Sequence, residues 1–427
     1  MRISKRSILV ATLGLLLAAA NVWAAKEEKN EYPNATRKDP KLEMSSSNQK
    51  DLNKALDLVN NNQVDEAMPT LQKVLDDPKA SKYARALALE AEAQGASGKQ
   101  DDATAIAKFK EAYALDALPN SQQFQVLYNI AITQIQSEKY EDSLNTINEW
   151  FKVTGAQKAD AYALQGNAYY RMEKYQPAVD AMKKALSLSD KPSDSWNQIL
   201  MASYAELDQF DEAAKVIEGQ LAKNPNDAKL TTQLATIYVK GKQDQKAVDL
   251  LATAKQKGLL TSENDYKLMT QLYDQLDKPK EGAAALNEGF SKGIVKPSYE
   301  MYKLLGDSYA LANDDAHAID AYGKASQLSK DGNVDYVRGS LLMNNDRGKE
   351  AVDALHQAVA KGSLKQPGEA YILLGDAENN NNNRAGASAA WEKARAYPST
   401  KQMAESRLKN MKSGKGPIIK HAKSSGS

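Results

Sequence analysis

Few residues of this 427-residue chain have the types and spacing that catalysis requires. The chain contains no cysteine, which excludes thiolate nucleophiles, thiolate metal sites and disulfides. Its three histidines, His317, His356 and His421, do not have the spacing of a metal site such as H-E-x-x-H. The stretch "GASGK" (95–99) is too short for a phosphate-binding loop, and no predicted strand precedes it. The sequence therefore predicts no catalytic, cofactor-binding or metal-binding residue, no cofactor and no enzyme activity.

The first residues have the layout of a secretory signal peptide. Arg2, Lys5 and Arg6 precede an apolar run from 8 to 20, which is too short to span a bilayer comfortably. Small or modest side chains at 22–24 and the polar "KEEK" at 26–29 then favour cleavage after Ala24. We expect residues 1–24 to be removed and the mature protein to be soluble, without a transmembrane segment, and periplasmic.

The rest of the chain is dominated by a repeated pattern. A small residue is followed four positions later by a large apolar one, ten times, at steps of 33 to 38 residues. Twelve positions before the small residue, eight of the ten units again have Ala or Gly. A column of small side chains facing a column of large ones is typical of two closely packed helices. The small residues that open the units are Ala67, Ala105, Ser143, Ala178, Ala213, Ala247, Gly282, Ala318, Ala351 and Ala387.

Each unit therefore reads as two helices joined by a polar turn, and the pattern resembles the tetratricopeptide repeat, whose period is about 34 residues. The closest matches are "YALQGNAYYRMEKYQPAVDAMKKAL" (162–186), "YKLLGDSYALANDDAHAIDAYGKAS" (302–326) and "YILLGDAENNNNNRAGASAAWEKAR" (371–395). The resemblance implies an all-α fold, a right-handed superhelical solenoid of about ten repeats over 48–400. Around it we expect an extended polar leader at 25–47, a capping helix at 401–412 and a disordered basic tail at 413–427.

The asparagine run Asn379 to Asn383 has a place in this register. It follows "ILLGDAE" and precedes "RAGASAAW", where other units have "NNNQ" (60–63) and "MNND" (343–346). Asparagine tolerates left-handed backbone conformations and caps helices. We therefore predict an elaborated helix–helix turn in place of a disordered or prion-like tract.

The resemblance also implies a groove for an extended peptide or a partner helix, lined by the first helix of each unit. By register, the third to fifth units contribute the partner-binding residues Tyr128, Ile132, Ile135, Asn167, Tyr170, Arg171 and Gln198. Their aromatic and aliphatic members are expected either to bind a partner or to contact a neighbouring repeat. The clamp that some such repeats use for a C-terminal carboxylate needs a lysine where this chain has Ala163, which puts that ligand class in doubt.

These features favour an exported bacterial scaffold or adaptor. Its protein partners would belong to an envelope complex, such as outer-membrane assembly, polysaccharide export, secretion or pilus systems, or Ton-type energy transduction. The alternative is a soluble capture protein for peptides or glycans. A muralytic enzyme would need a further lysozyme-like domain of more than about 100 residues, for which the array leaves no room. The net charge of +1 gives no indication of nucleic-acid binding, and the oligomeric state and any contact of the tail with membrane or cell wall stay open.

Overall fold

The computed structural model describes residues 31–413, and this part of the chain contains 21 helices and no strand. The predicted signal peptide and nearly all of the predicted tail lie outside the described residues. Contacts divide the chain into two units at Gly219, inside the tenth helix. Helices α1–α10 are Ser46–Asn60, Val64–Asp76, Lys82–Gly98, Asp102–Ala114, Asn120–Gln136, Tyr140–Thr154, Ala159–Arg171, Tyr175–Ser187, Asp194–Glu206 and Phe210–Lys223. Helices α11–α21 are Ala228–Lys240, Asp244–Gln256, Glu263–Gln275, Pro279–Ser291, Tyr299–Leu311, Asp315–Leu328, Asn333–Asn344, Gly348–Lys361, Pro367–Asn380, Arg384–Ala394 and Lys401–Lys412.

Within each unit, consecutive helices form pairs that stack on one another. The helices of a pair, such as α3 with α4 or α15 with α16, contact each other, and the second also packs on the next pair. The predicted all-α fold built from helix-pair repeats is confirmed. The right-handed superhelix stays a prediction.

Glycines of the first helices lie directly against large side chains of the second. A Cβ added at Gly166 would lie 2.9 Å from Met182, and one at Gly306 would lie 2.6 Å from the ring of Tyr322. Met182 is fully buried and Tyr322 nearly so. These glycines and large residues occupy the small and large positions of the repeated sequence pattern. The side-chain sizes in the sequence therefore predicted which residues touch within these helix pairs.

Two repeats have a hydroxyl residue at one of the small positions, and its polar atom makes a hydrogen bond. Ser143 Oγ donates to the carbonyl oxygen of Ala131 at 2.7 Å, across the pair α5–α6. In the pair α13–α14, Thr270 Oγ1 lies 2.8 Å from the carbonyl oxygen of Tyr266 in its own helix and 3.2 Å from that of Gly282, and it can donate to either. Each hydroxyl is fully buried and would cost stability without an acceptor. The helices can therefore still pack closely, because each buried hydroxyl donates a hydrogen bond to a backbone carbonyl oxygen.

The turn inside every repeat contains one residue with a left-handed backbone, always five positions before the small residue, which is the fourth residue of the second helix. None of them is glycine, and their φ angles lie between 56° and 63°. In the tenth repeat this residue is Asn382, so the asparagine run forms an ordinary repeat turn, as predicted. The ten residues are Asn62, Gln100, Glu138, Glu173, Asp208, Lys242, Asp277, Asn313, Asp346 and Asn382.

Helix α21 is tied to the tenth repeat through a buried charge. Ala404 and Leu408 pack with Trp391 of α20. Arg407 donates to both oxygens of the Asp376 carboxylate, at 2.5 Å and 2.8 Å, and Asp376 is only 2% exposed. The last helix therefore covers the apolar end of the array and neutralises an acid beneath it.

Candidate functional site

In the first unit, first helices of neighbouring repeats are in contact at two places, α1 with α3 and α7 with α9. We call the positions that are equivalent by repeat register on α3, α5, α7 and α9 the first-helix face. It contains the residues predicted from the sequence to bind a partner.

On α5, the predicted aliphatic residues are buried in the fold. Ile132 is 8% exposed and Ile135 is 6% exposed. Ile135 packs with Leu144 of α6 and Ala168 of α7, in a core cluster between repeats. Their exposure, which had suggested a partner surface, is therefore not observed, because the neighbouring helices cover them.

Tyr128, one turn before Ile132, keeps part of its surface open. Its ring lies 5.7 Å from that of Trp150 on α6. Burial, and then the negative charge of Asp160 on α7, raise the pKa of the Tyr128 hydroxyl above its ordinary value. The phenol therefore stays protonated at neutral pH and can donate a hydrogen bond.

The predicted residues of α7 and α9 are partly or wholly buried. Asn167 is 3% exposed, and no donor among the described residues reaches its Oδ1 atom. Tyr170 and Arg171 are half-buried and engaged within the fold, and the Tyr170 ring lies 5.9 Å from that of Tyr175. Gln198 on α9 is half-buried.

Two residues of α3 belong to the same face and were missed from the sequence. Gln94 Nε2 donates to Glu90 Oε1 at 3.2 Å, while Gln94 Oε1 has no donor among the described residues. Burial raises the pKa of the Glu90 carboxyl to about 7. The register could have found both residues, since Glu90 and Gln94 occupy the positions of Tyr128 and Ile132 one repeat later.

This arrangement suits recognition and offers no catalytic constellation. Its functional atoms are amide and carboxyl oxygens that accept hydrogen bonds, and the tyrosine hydroxyl that donates one. Among residues 31–413, no group of three acidic or histidine side chains is placed to hold a metal ion. Nor does any helix of that part of the chain have the length and apolar character needed to cross a membrane.

Comparisons with known proteins agree with the repeat pattern. Two models of the tetratricopeptide repeat match the chain, one over residues 159–192 and one over 336–400. Together they cover the fourth repeat and the ninth and tenth. A search of curated proteins returned no significant match.

Several solved structures share the helical repeat fold at low identity. A tetratricopeptide repeat protein from Parabacteroides merdae is 15% identical, with 67% of this chain and 94% of that chain covered and a TM-score of 0.38. The C-terminal part of a repeat protein from Cytophaga hutchinsonii is 13% identical, with 66% and 99% covered and a TM-score of 0.41. A chain of the Naa15/Naa10 complex bound to HypK-THB is 13% identical, with 86% and 61% covered and a TM-score of 0.47.

The matched family models fall on the fourth, ninth and tenth repeats. In each of these a glycine packs against a large side chain, and each has the left-handed turn that all ten repeats share. Repeats of this kind serve as scaffolds for protein–protein interaction. Residues 159–192 and 336–400 match tetratricopeptide repeats, and the helix pairs in the rest of the described chain follow the same pattern.

Proposed function

We propose that this protein is an exported scaffold that holds protein partners of a bacterial envelope complex on its first-helix face. The observation that carries the proposal is a group of side chains that stay partly exposed on that face: Tyr128 on α5, Tyr170 and Arg171 on α7, and Gln198 on α9. Side chains that keep open surface can contact a partner, whereas the buried Ile132, Ile135 and Asn167 cannot.

The chemistry of these side chains favours a peptide. Tyr128 offers an aromatic surface with a hydroxyl donor, and the Gln198 amide can both donate and accept a hydrogen bond. Backbone N–H and C=O groups of an extended segment complement such a mixture. Tyr170 and Arg171 lie within one turn of Asn167, and both residue types are frequent anchors of protein interfaces.

Export is supported by the sequence of the first 24 residues, with its basic start, short apolar run and small residues before the expected cleavage point. Mass spectrometry of the protein released by osmotic shock should find an N-terminus at Ala25. An intact segment from Met1 to Ala24 on the mature protein would contradict the assignment.

Crosslinking in whole cells followed by purification tests the scaffold function. We expect one envelope complex to be recovered, and the double variant Tyr170→Ala with Arg171→Glu to recover much less of it. A co-purifying peptide or glycan in place of a complex would favour a capture protein.

The control variant is Lys183→Glu, which makes the same charge change on an exposed position of α8. It should leave partner recovery unchanged. The double variant must also keep its helicity and melting temperature. A loss of several degrees would show that Tyr170 mainly packs within the fold.

A further inference from the structure

Residues 31–41, which we call the N-terminal strap, cross the first unit without forming a helix or strand. Tyr32 is the only buried residue of the strap, at 4% exposure. Its ring meets those of Phe124 and Trp150 edge-on, with centroids 5.0 Å and 6.0 Å away. One aromatic side chain of the strap is thus inserted between α5 and α6.

The connection between α6 and α7 holds the Tyr32 end of the strap. Lys158 Nζ lies 4.5 Å from the centre of the Tyr32 ring, donates to its hydroxyl at 3.2 Å and pairs with Glu31. Asn34 Nδ2 donates to the carbonyl oxygen of Gly155 at 3.4 Å. Gly155 has a φ of +61°, and a Cβ there would lie 2.8 Å from Asn34. A side chain at position 155 would therefore both strain the backbone and displace the strap.

The connection between α4 and α5 holds the other end through Arg37. The guanidinium donates to Asp116 Oδ1 at 2.7 Å, to the Leu118 carbonyl at 3.0 Å and to Asn120 Oδ1 at 2.6 Å. Asn120 returns a bond from Nδ2 to the Arg37 carbonyl at 2.8 Å. Its backbone N–H donates to Asp39 at 2.5 Å. Asn120, at the start of α5, therefore binds both side chains and the backbone of the strap.

These contacts have the character of a peptide bound to a receptor. The strap has one turn, closed by a hydrogen bond from the Ala35 N–H to the Tyr32 carbonyl at 3.1 Å. Its two anchors, Tyr32 and Arg37, are five residues apart and bind positions 79 to 126 residues away in sequence. We propose that the surface under the strap is a docking site for segments that carry an aromatic residue and, five positions later, an arginine, and that the strap is its exchangeable resident ligand. This strap site is separate from the first-helix face, although Trp150 touches both Tyr32 and Tyr128.

Exchange is physically reasonable because release of the strap breaks no helix. It uncovers one aromatic pocket and returns the partly exposed ion pairs of Arg37 and Lys158 to water. Extended segments without secondary structure open at lower free energy than a packed repeat. A partner with the same two anchors could then occupy the strap site.

The test uses the whole chain with a protease site inserted after Lys41, where both Lys41 and Leu42 are exposed. The protein is folded first and then cut, and the released segment is removed. A labelled peptide of residues 31–41 is added, and its binding is followed by fluorescence anisotropy. We expect saturable binding of one peptide per cut chain, and much weaker binding to the uncut chain, where the peptide must displace the strap.

Peptide variants identify the anchors. Tyr32→Ala and Arg37→Ala should each weaken binding by about tenfold or more, as for central interface residues. Lys38→Ala, at an exposed position directly after the second anchor, should stay within about twofold of the unchanged peptide. Three results would overturn the proposal: a cut chain that keeps its helicity but does not rebind the peptide, unfolding of the repeats on cutting, or equal binding of the Tyr32→Ala peptide.

Discussion

Trp391 lies directly on Gly375. A Cβ at position 375 would be 2.3 Å from the indole Nε1 atom, which itself donates to Asp376 Oδ1 at 3.1 Å. The indole is 1% exposed and has no room to move away. In the last repeat, the missing side chain at residue 375 is therefore what lets the largest side chain of the pair fit.

Gly375→Ala should destabilise the protein by about 1–3 kcal/mol, because the added methyl group overpacks a full interface. The matched control is Gly219→Ala in α10, where an added Cβ meets nothing within 4 Å. That change should be neutral or stabilise by about 0.5–1 kcal/mol, since alanine is the better helix former. Thermal unfolding followed by circular dichroism compares the two. Equal effects would refute the packing argument.

The Asp376–Arg407 pair gives a prediction for the end of the array. Arg407→Ala would leave a buried carboxylate with Trp391 as its remaining side-chain donor, so we expect a loss of about 3–5 kcal/mol. Arg395→Ala, which removes a half-exposed arginine paired with Glu392, should cost under about 1 kcal/mol. Amide hydrogen exchange should show the loss concentrated in α19–α21. Uniform loss across the chain would contradict a local role for the pair.

The asparagines of the run at 379–383 should contribute differently to stability. Asn383 accepts from the N–H of Gly386 at 3.1 Å and caps α20, so Asn383→Ala should cost about 1 kcal/mol. Asn382 has a left-handed backbone, and Asn382→Gly should change stability by less than about 0.5 kcal/mol. Replacing 380–382 by Gly-Ser-Gly should cost much less than Met182→Ala, a buried deletion worth about 2–5 kcal/mol. Urea unfolding measures the stability of all four variants. If the Gly-Ser-Gly replacement destabilises the protein as much as Met182→Ala, residues 380–382 do not act as a turn.

The same geometry predicts that Lys242→Gly stabilises the protein. Lys242 is exposed and has a φ of 57°, a conformation that costs a residue with a Cβ about 1–2 kcal/mol. Part of the gain is offset by the flexibility of glycine in the unfolded chain, so the net effect should be below about 1 kcal/mol. The exposed Lys240→Gly, in the last turn of α11, serves as the control and should destabilise. If Lys242→Gly and Lys240→Gly both stabilise or both destabilise the protein, backbone conformation does not explain the effect.

Glu90 should make stability fall as the pH rises. Burial raises its pKa from 4.5 to about 7 in the folded state, so the folded protein binds this proton more tightly than the unfolded chain. The resulting stabilisation is complete below about pH 4.5 and is lost as the pH rises through about 7. Glu90→Gln should therefore be more stable than the parent at pH 8, by about 1–2 kcal/mol.

Chemical unfolding at pH 5 and pH 8 gives the comparison, with Glu141→Gln, an exposed residue of α6, as the control. The advantage of Glu90→Gln over the parent should be larger at pH 8 than at pH 5. An advantage that does not change with pH would show that Glu90 is not protonated in the folded state.

The repeat fold could be predicted in detail from the sequence, because side-chain size is a local property that the helix pair uses directly. Gly306 and Tyr322, or Gly166 and Met182, are 16 residues apart in both cases, and a fixed separation in sequence becomes a fixed contact when both helices have regular geometry. The asparagine turn was predictable for the same reason. The left-handed position itself was not, since asparagine, glutamate, lysine and aspartate all occupy it and only the packing of the two helices forces the backbone there.

The candidate sites depended on tertiary structure. The sequence placed Ile132 and Ile135 on the first-helix face, but only the neighbouring helices decided that they are covered. It likewise described 25–47 as a polar leader. Nothing in the local sequence around Tyr32 and Arg37 indicates that they reach Trp150 and Asp116, because those contacts join segments that are brought together only when the repeats stack.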